Sequence, residues 1–305
     1  MTSPDQSLPQ VTVIMPVYNG QDFVREALES VFAQTFQSFE VIVIDDDSTD
    51  STPQILKEYG DRITVLHQKK QGHVIARNTA KEIARGEWIA MLDADDIWEV
   101  NALEEMMKLT RGVDVVYCAR SNFGDSERVD EVNFSSGDVP QGDIFEDLIM
   151  DNFITHSGVM IRRSTLNDVG GYDGSLKTTC DWELWLRLAA TGHLFAGSPL
   201  PLVRYRWRAT SHSKNHQQTC LDRVAILEKA LQTDRGRRVS PAKRRQALSC
   251  VWATSAWFVA AQDDRTALRW YLNSVRYQPA SIRSWKEVTK CCLSLMGLRR
   301  SDAAT

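Results

Sequence analysis

The stretch Glu87-Trp88-Ile89-Ala90-Met91-Leu92-Asp93-Ala94-Asp95-Asp96-Ile97-Trp98 constrains this chain more than any other, because five apolar residues run directly into three carboxylates within four positions. An apolar run this short, preceded by Gly86 and bounded by charge, is expected to be a strand buried on both faces of a parallel sheet. Ligands of open parallel sheets bind at the carboxyl ends of the strands, so Asp93, Asp95 and Asp96 are expected where a substrate would sit. Carboxylates this crowded repel one another unless something positive neutralises them. A hard divalent cation with oxygen ligands, Mg²⁺ or Mn²⁺, is the expected partner. The competing reading of a bare D-x-D is a solvated acidic loop that caps the following helix.

The residues before this stretch alternate in period. Val11 to Met15 reads as a strand stopped by Pro16, and Pro16-Val17-Tyr18-Asn19-Gly20 as a turn. Phe23, Ala27, Leu28, Val31 and Phe32 recur at helical spacing. Phe39 to Ile44 reads as a second strand, ending in a second acidic cluster, Asp45-Asp46-Asp47-Ser48. Thr52 with Pro53 reads as an N-cap and first helical position, Ile63 to Leu66 as a third strand, and Val74 to Ala84 as a helix carrying Arg77 and Asn78. Right-handed crossovers turn such a β-α-β-α-β-α-β order into a parallel sheet with helices on both faces, its two acidic clusters on one edge. Beyond Trp98 the pattern predicts a helix over Ala102 to Leu109, a strand over Val113 to Cys118, and a mobile excursion over the site from Asn122 to Gly142. A strand over Thr155 to Ile161, a turn at Val169 to Asp173, an amphipathic helix begun by Asp181 and a last strand over Leu202 to Trp207 complete this part.

Charge divides the chain. Residues 1–205 hold 17 Lys/Arg against 33 Asp/Glu, and residues 206–305 hold 19 against 7, so the two parts carry −16 and +12 within a total of −4. From Leu221 onward the pattern is helical, and Ala267, Tyr271, Ser274 and Pro279, with Phe258 before them, follow tetratricopeptide spacing. One degenerate repeat predicts a helical hairpin rather than a solenoid. We therefore expect an α/β domain over residues 1–214 and a basic helical extension over 215–305. Six cysteines without C-x-x-C spacing, no leader-like start and no uncharged run of 18 residues lead us to expect a cytoplasmic protein. Arg235, Arg237, Arg238, Lys243, Arg244 and Arg245, followed by Trp252, Trp257, Trp270 and Trp285, suggest peripheral contact with an anionic membrane at its inner face. No nucleic-acid motif accompanies this charge, so no nucleic-acid partner is expected.

Six pieces in order resemble the family 2 glycosyltransferases of the GT-A fold: Val13-Ile14-Met15-Pro16-Val17-Tyr18-Asn19, Val43 through Asp50, Ala76-Arg77-Asn78, Leu92 through Asp96, Gly170-Gly171-Tyr172-Asp173, and Asp181 through Arg187. They cover roughly residues 10–210. The resemblance implies a Rossmann-like, mostly parallel sheet flanked by helices, and transfer of a sugar from a nucleotide diphosphate sugar, a UDP-sugar foremost, with inversion. The acceptor would be a glycan or lipid-linked acceptor in polysaccharide, lipopolysaccharide or lipid-linked glycan synthesis. Carried over residue by residue, Pro16 and Tyr18 would frame the nucleobase, Asn19 would belong to the nucleotide-sugar site, Asp46 would accept from a ring N–H, Arg77 would add positive charge near base and diphosphate, Asp93 would hold the ribose, and Asp95 the metal. Asp181 would be the general base, its alternative being a helix N-cap.

The chain departs from the family pattern at Asp47, at Cys180 before Asp181, and at Tyr205-Arg206-Trp207-Arg208, where a histidine is common and His212 comes later. Arg206 or Arg208 would then bind phosphate. A Mg²⁺-binding phosphoacceptor domain or a non-catalytic sugar-binding relic are the alternatives. The first has no use for the Asp181 helix, and the second is disfavoured because Asp46, Asp93, Asp95 and Asp181 are all present.

Overall fold

The computed structural model describes residues 8–125, 129, 131–134, 138–176, 178–207, 216–260 and 263–296. Arg208 and His212 lie outside them. By contact the chain divides into two compact units: Met1–Ile144 with Phe153–Lys177 and His193–Ala209, and Phe145–Asn152 with Thr178–Gly192 and Thr210–Thr305. This grouping differs from the single cut after residue 214 expected from charge, since the helix that begins at Cys180 clusters with the C-terminal helices.

The first unit is built on eight strands: β1 Val11–Val17, β2 Phe39–Asp45, β3 Thr64–His67, β4 Trp88–Met91, β5 Ile97–Trp98, β6 Val115–Gly124, β7 Val159–Arg162 and β8 Phe195–Trp207. They form one sheet in the order β3-β2-β1-β4-β7-β6-β8-β5. β1 is parallel to β2 and β4, and β2 to β3, as the alternating pattern predicts. β7 runs antiparallel between β4 and β6, and β8 is parallel to β6. The carboxyl ends of β1, β2, β4, β6 and β8 therefore share one edge. Every residue of β1 and β4 is buried, which is why both read as continuous apolar runs rather than alternating ones.

The helices of this unit are α1 Val24–Phe32, α2 Thr52–Lys57, α3 His73–Ile83, α4 Ala102–Met107 and α6 Arg163–Asp168; α5 Phe145–Leu148 belongs to the second unit. Val24, Ala27, Leu28 and Val31 of α1 join Val13, Met15, Val41, Val43 and Ala90 of the strands in one core. Each fully buried aliphatic side chain contributes roughly 1.5–3 kcal/mol of transfer free energy.

Several local readings change. Pro16 does not stop β1, which continues to Val17. Pairing with β4 ends at Ile14 opposite Met91, so the donor that Pro16 lacks falls where no strand remains to receive it. Thr52 is not the cap of α2; Ser51 is, while the Thr52 hydroxyl accepts from the Gly20 amide at 2.9 Å and donates to Asp50. The strand expected from Thr155 begins only at Val159, after a 3₁₀ turn at His156–Gly158. Within the expected mobile excursion, Val132 bridges to Ser121 and Phe134 packs on Tyr117 and Phe153, so these described residues are tied to the sheet.

The second unit contains α5, α7 Cys180–Ala190, α8 His216–Gln232, α9 Asp234–Arg238, α10 Pro241–Ala260, α11 Asp264–Tyr277 and α12 Ile282–Leu295. Its core joins Cys220, Ala256, Val259, Ala267, Trp270, Tyr271, Val288 and Cys291. The Ser249, Ser274 and Ser284 hydroxyls form a buried chain with contacts of 2.9 and 3.0 Å. Asp263 caps α11 and Ser281 caps α12, each side chain accepting backbone N–H bonds. Among the described residues no helix is long and apolar enough to cross a membrane.

Candidate active site

Asp93, Asp95 and Asp96 leave β4 in a tight turn that leads directly into β5, with the Asp96 amide donating to the Asp93 carbonyl. The three carboxylates have three different environments. Asp93 accepts a bond of 2.5 Å from Arg77 of α3, whose guanidinium is almost wholly buried. Burial pushes the Asp93 pKa up, but Arg77, with His156 and His73 behind it, brings it down to about 2. Asp96 is buried and accepts from the Ser157 hydroxyl and the Arg206 amide. Burial first, then the Asp95 and Asp93 charges, push its pKa up from the ordinary aspartate value, against the Ser157 and Arg206 hydrogen bonds that pull it down. Part of the crowding that the sequence assigned to a cation is thus relieved by Arg77. Asp95 is half-buried at the sheet edge.

A network missed in the sequence supports Asp93 from below. The His156 Nε2 lies 2.8 Å from the Tyr172 hydroxyl, and its Nδ1 lies 3.8 Å from the Asp93 carboxylate. Burial and Arg77 push the His156 pKa down to about 3, so the ring is neutral. Tyr172 is held by Asn78, whose amide accepts from its N–H and donates to its carbonyl, both at 2.9 Å. That embrace needs the preceding residue to be glycine: Gly171 has φ +75°, and a Cβ there would lie 2.5 Å from the Asn78 Oδ1. The Ala76-Arg77-Asn78, Asp93 and Gly170-Gly171-Tyr172 segments are therefore parts of one structure. His156 is the member that the sequence reading did not single out, since Thr155 to Ile161 read there as strand.

At the β1 and β2 ends, Asn19 accepts from the Thr49 amide and donates its own amide to Ser48, clasping the two loops. Asn19 and Asp47 both have positive φ, a conformation in which Asn and Asp are the commonest non-glycine residues. Pro16 is buried, and the Tyr18 ring lies under the Lys70 ammonium at 3.6 Å. Asp46 is buried and accepts from the Gln68 side chain and from the Gln71 and Gly72 amides at 2.7 to 2.8 Å. It pins the turn before α3, with about one of a carboxylate's four acceptor positions left.

On the other flank, Arg206 does not stand open as a phosphate ligand. Its Nε donates to the Asp95 carbonyl, its Nη2 pairs with Glu26 at 2.5 Å, and the Phe23 and Phe123 rings lie 4.9 and 4.3 Å from it. It braces the acidic turn. Burial, then the Asp96 charge, push the neighbouring Tyr205 phenol upward.

Pro16, Tyr18, Asn19, Asp46, Arg77, Asp93 and Asp95 thus all belong to the first unit, around one sheet edge, while Asp181 belongs to the second. Asp181 follows the first residue of α7, and Thr179 occupies the cap position, so the capping alternative for Asp181 is not met. Its Oδ2 accepts from the Asn152 amide at 2.9 Å. Glu183 is buried, with Arg187 at 2.9 Å and Lys229 at 3.6 Å.

Among the described residues no three His, Cys, Asp or Glu side chains converge as a metal cage. The donor set still suits Mg²⁺ or Mn²⁺ held with a substrate: a half-buried carboxylate, Asp95, at the edge, with water and phosphate oxygens completing the shell.

The family model for glycosyl transferase family 2 matches residues 12–170. An uncharacterized glycosyltransferase of Rickettsia prowazekii is 29% identical over 199 residues, 61% of each chain. TuaG of Bacillus subtilis, whose name assigns it provisionally to teichuronic acid biosynthesis as a glycosyltransferase, is 31% identical over 217 residues, 68% of this chain and 82% of TuaG. The chain covers less than two thirds of the length of the Rickettsia relatives, 37% in the case of Rickettsia felis. Among solved structures, S. aureus TarS 1-349 in complex with UDP-GlcNAc superposes with a TM-score of 0.64 at 17% identity, covering 96% of this chain and 95% of that one. The mannosyltransferase PcManGT of Pyrobaculum calidifontis, in complex with GDP-Man and Mn²⁺, gives 0.63 at 20% identity, covering 96% and 83%. The fold is the GT-A fold, with a helical C-terminal region.

Proposed function

We propose, for a chain that belongs to glycosyl transferase family 2, that it moves a sugar with inversion from a nucleotide diphosphate sugar, a UDP-sugar foremost, to a hydroxyl of a cell-envelope glycan or lipid-linked acceptor. The observation that carries this reading is the Arg77–Asp93 pair, a charged group ordered at the strand edge by Asn78, Tyr172 and His156. A carboxylate kept ionised and fixed in direction is suited to accept from ribose hydroxyls. Pro16, Tyr18 and Asn19 border the base, with Asp46 contributing its remaining acceptor position to a ring N–H. Asp95 would hold Mg²⁺ or Mn²⁺, which when bound neutralises charge on the departing diphosphate. The bound nucleotides of TarS and PcManGT, and the Mn²⁺ of the latter, support the donor class and the metal.

Asp181 is the proposed general base. Its carboxylate would take the proton of the acceptor hydroxyl as that oxygen attacks the anomeric carbon from the face opposite the nucleotide. One displacement then inverts the centre. The Asn152 amide orients the carboxylate through one oxygen and leaves the other to the acceptor. A thermal-shift panel of UDP-, GDP- and dTDP-sugars with Mn²⁺ tests the donor reading. We expect a rise in Tm with one base, reduced in Asp93→Asn; no rise with any nucleotide sugar contradicts it.

The proposal places the protein at the cytoplasmic face of the membrane, attached peripherally. The tryptophans divide here. Trp252 and Trp270 pack on each other in the core, 6.1 Å apart, whereas Trp257 and Trp285 are 56% and 46% exposed. Lys243 pairs with Glu146, while Arg238 and Arg245 face solvent. Contact would thus rest on Trp257, Trp285 and the exposed arginines, each basic residue contributing about 1 kcal/mol near anionic lipid. Co-sedimentation with phosphatidylglycerol vesicles that is absent at low salt, or indifferent to Trp285→Ala, contradicts it.

A further inference from the structure

We propose that Tyr205 and Trp207, the aromatic end of β8, form a stacking subsite for a pyranose ring of the acceptor, an inference that rests on the transferase reading above. β8 ends at the same edge as β4, because β8 is parallel to β6 and both are separated from β4 by the antiparallel β7. The acidic turn joins the two: it leaves β4, enters β5, and β5 pairs with β8 through Ile97 opposite Arg204. Arg206 fixes the join, its amide donating to Asp96 and its Nε to the Asp95 carbonyl. The residues on either side of Arg206 therefore flank the carboxylates on the side away from β1 and β2, where the nucleotide is expected.

Strand alternation sends Tyr205 and Trp207 to the face opposite Arg204 and Arg206. Val203, next on that face, is buried, Tyr205 half-buried, and Trp207 40% exposed, so the face opens toward the edge. The two rings meet at 84° with centroids 6.3 Å apart, and the Arg120 guanidinium lies 4.9 Å from the centre of the Tyr205 ring. The strand end itself is anchored, with the Asp125 amide donating to the Trp207 carbonyl at 3.0 Å. Trp207 is thus an indole held on an ordered strand beside the acidic turn, with part of its surface in water.

A pyranose is the ligand whose chemistry matches. One face of the ring presents a patch of slightly positive C–H bonds to the negative face of an aromatic, while hydroxyls at the rim reach the polar groups around it. Here those groups are the acidic turn on one side and Arg120 on the other. A transferase that uses a sugar hydroxyl as nucleophile needs its acceptor ring held in place, since orientation of the two reactants supplies much of the rate. Stacking on Trp207 would hold that ring from the side opposite the nucleotide. A purely aliphatic acceptor has no use for such a right-angled aromatic pair.

Saturation-transfer NMR on the full chain with UDP, Mn²⁺ and the methyl glycosides of N-acetylglucosamine, glucose and mannose tests this directly. We expect the C–H protons of at least one glycoside to receive saturation, to lose it at least about fivefold in Trp207→Ala, and to keep most of it in Trp207→Phe. The uracil protons of UDP in the same sample serve as the internal reference and should keep their saturation in both variants. Glycoside signals indifferent to Trp207→Ala, or absent with the unaltered protein, overturn the subsite while UDP signals persist and leave the transferase reading standing. Uracil signals lost in place of glycoside signals make this a nucleotide site and also overturn it. If neither UDP nor any glycoside is saturated, the preference for a UDP-sugar falls and the subsite with it.

Discussion

The two compact units bury polar groups in opposite ways. In the sheet unit the buried polar groups include charged ones, Asp45, Asp46, Arg77 and Asp96, gathered at the carboxyl edge of the strands. In the helical unit the buried polar groups of the C-terminal helices are hydroxyls, Ser249, Ser255, Ser274 and Ser284, set between helices. A buried hydroxyl with a partner costs little, whereas a buried charge is expensive even when paired and is often no better for stability than an apolar side chain. Charge retained at one edge is where the proposed binding and chemistry fall, and the serine chain lies where helices meet. Asp181, half-buried, and Glu183, buried, cross that division as carboxylates of α7 in the helical unit.

Asp181→Asn tests the exception and carries the largest expected effect. Asparagine can still accept from Asn152 but takes no proton, so transfer should fall about 10²–10⁴-fold with Tm unchanged. Equal activity in the variant would return Asp181 to a structural part. Asp95→Asn should cost at least about 100-fold in metal-stimulated turnover, because a cation there stabilises the departing charge by several kcal/mol. The variant should still fold, since the Arg206 Nε holds the turn through the Asp95 backbone carbonyl, which the substitution keeps. Gly171→Ala reverses the sign of the comparison by attacking the architecture behind the site. The positive φ and the 2.5 Å approach to Asn78 predict about 1–3 kcal/mol of destabilisation, read by urea unfolding.

Effects among the C-terminal helices α8 to α12 should be smaller and confined to stability. Ser274→Ala removes one link of the serine chain, and about 1 kcal/mol should be lost without change in turnover per folded molecule. The smallest expected effect is a pH dependence away from both sites. Burial raises the Glu40 pKa, but the Thr12 hydroxyl and the Arg85 amide and guanidinium outweigh it, so the net shift is below 4.5. A depressed folded pKa contributes stability that is present above the unfolded value and is lost as pH falls through the folded one. Glu40→Gln should therefore lower Tm slightly near neutrality, where the Glu40 contribution is fully present, with the difference from the unaltered chain shrinking as pH falls below about 4.5.

The parallel half of the sheet was legible because strands buried on both faces leave unbroken apolar runs, as in Val41 to Ile44 and Trp88 to Leu92. The antiparallel insertion was not. β7 and β8 take their partners from distant strands, and β8 runs through Pro199 and Pro201, which locally signal a turn. At the site, residue types announced the carboxylates but not their states. Nothing in Asp93-Ala94-Asp95-Asp96 reveals that Arg77 pairs with the first and that Ser157 and the Arg206 amide enclose the last. The four tryptophans of the tail looked equivalent for a similar reason: helical spacing places a residue on a face, and only the neighbouring helices decide whether that face is covered.

The central claim is that the acidic edge of the sheet unit handles a nucleotide diphosphate sugar with a metal at Asp95. Release of nucleotide diphosphate from UDP-GlcNAc, UDP-glucose and GDP-mannose, with Mn²⁺ and after chelation, measures it most directly. The account predicts release from one donor with Mn²⁺, little after chelation, and little from Asp95→Asn under either condition. Undiminished release in chelator, or an Asp95→Asn protein as active as the unaltered chain, would contradict it.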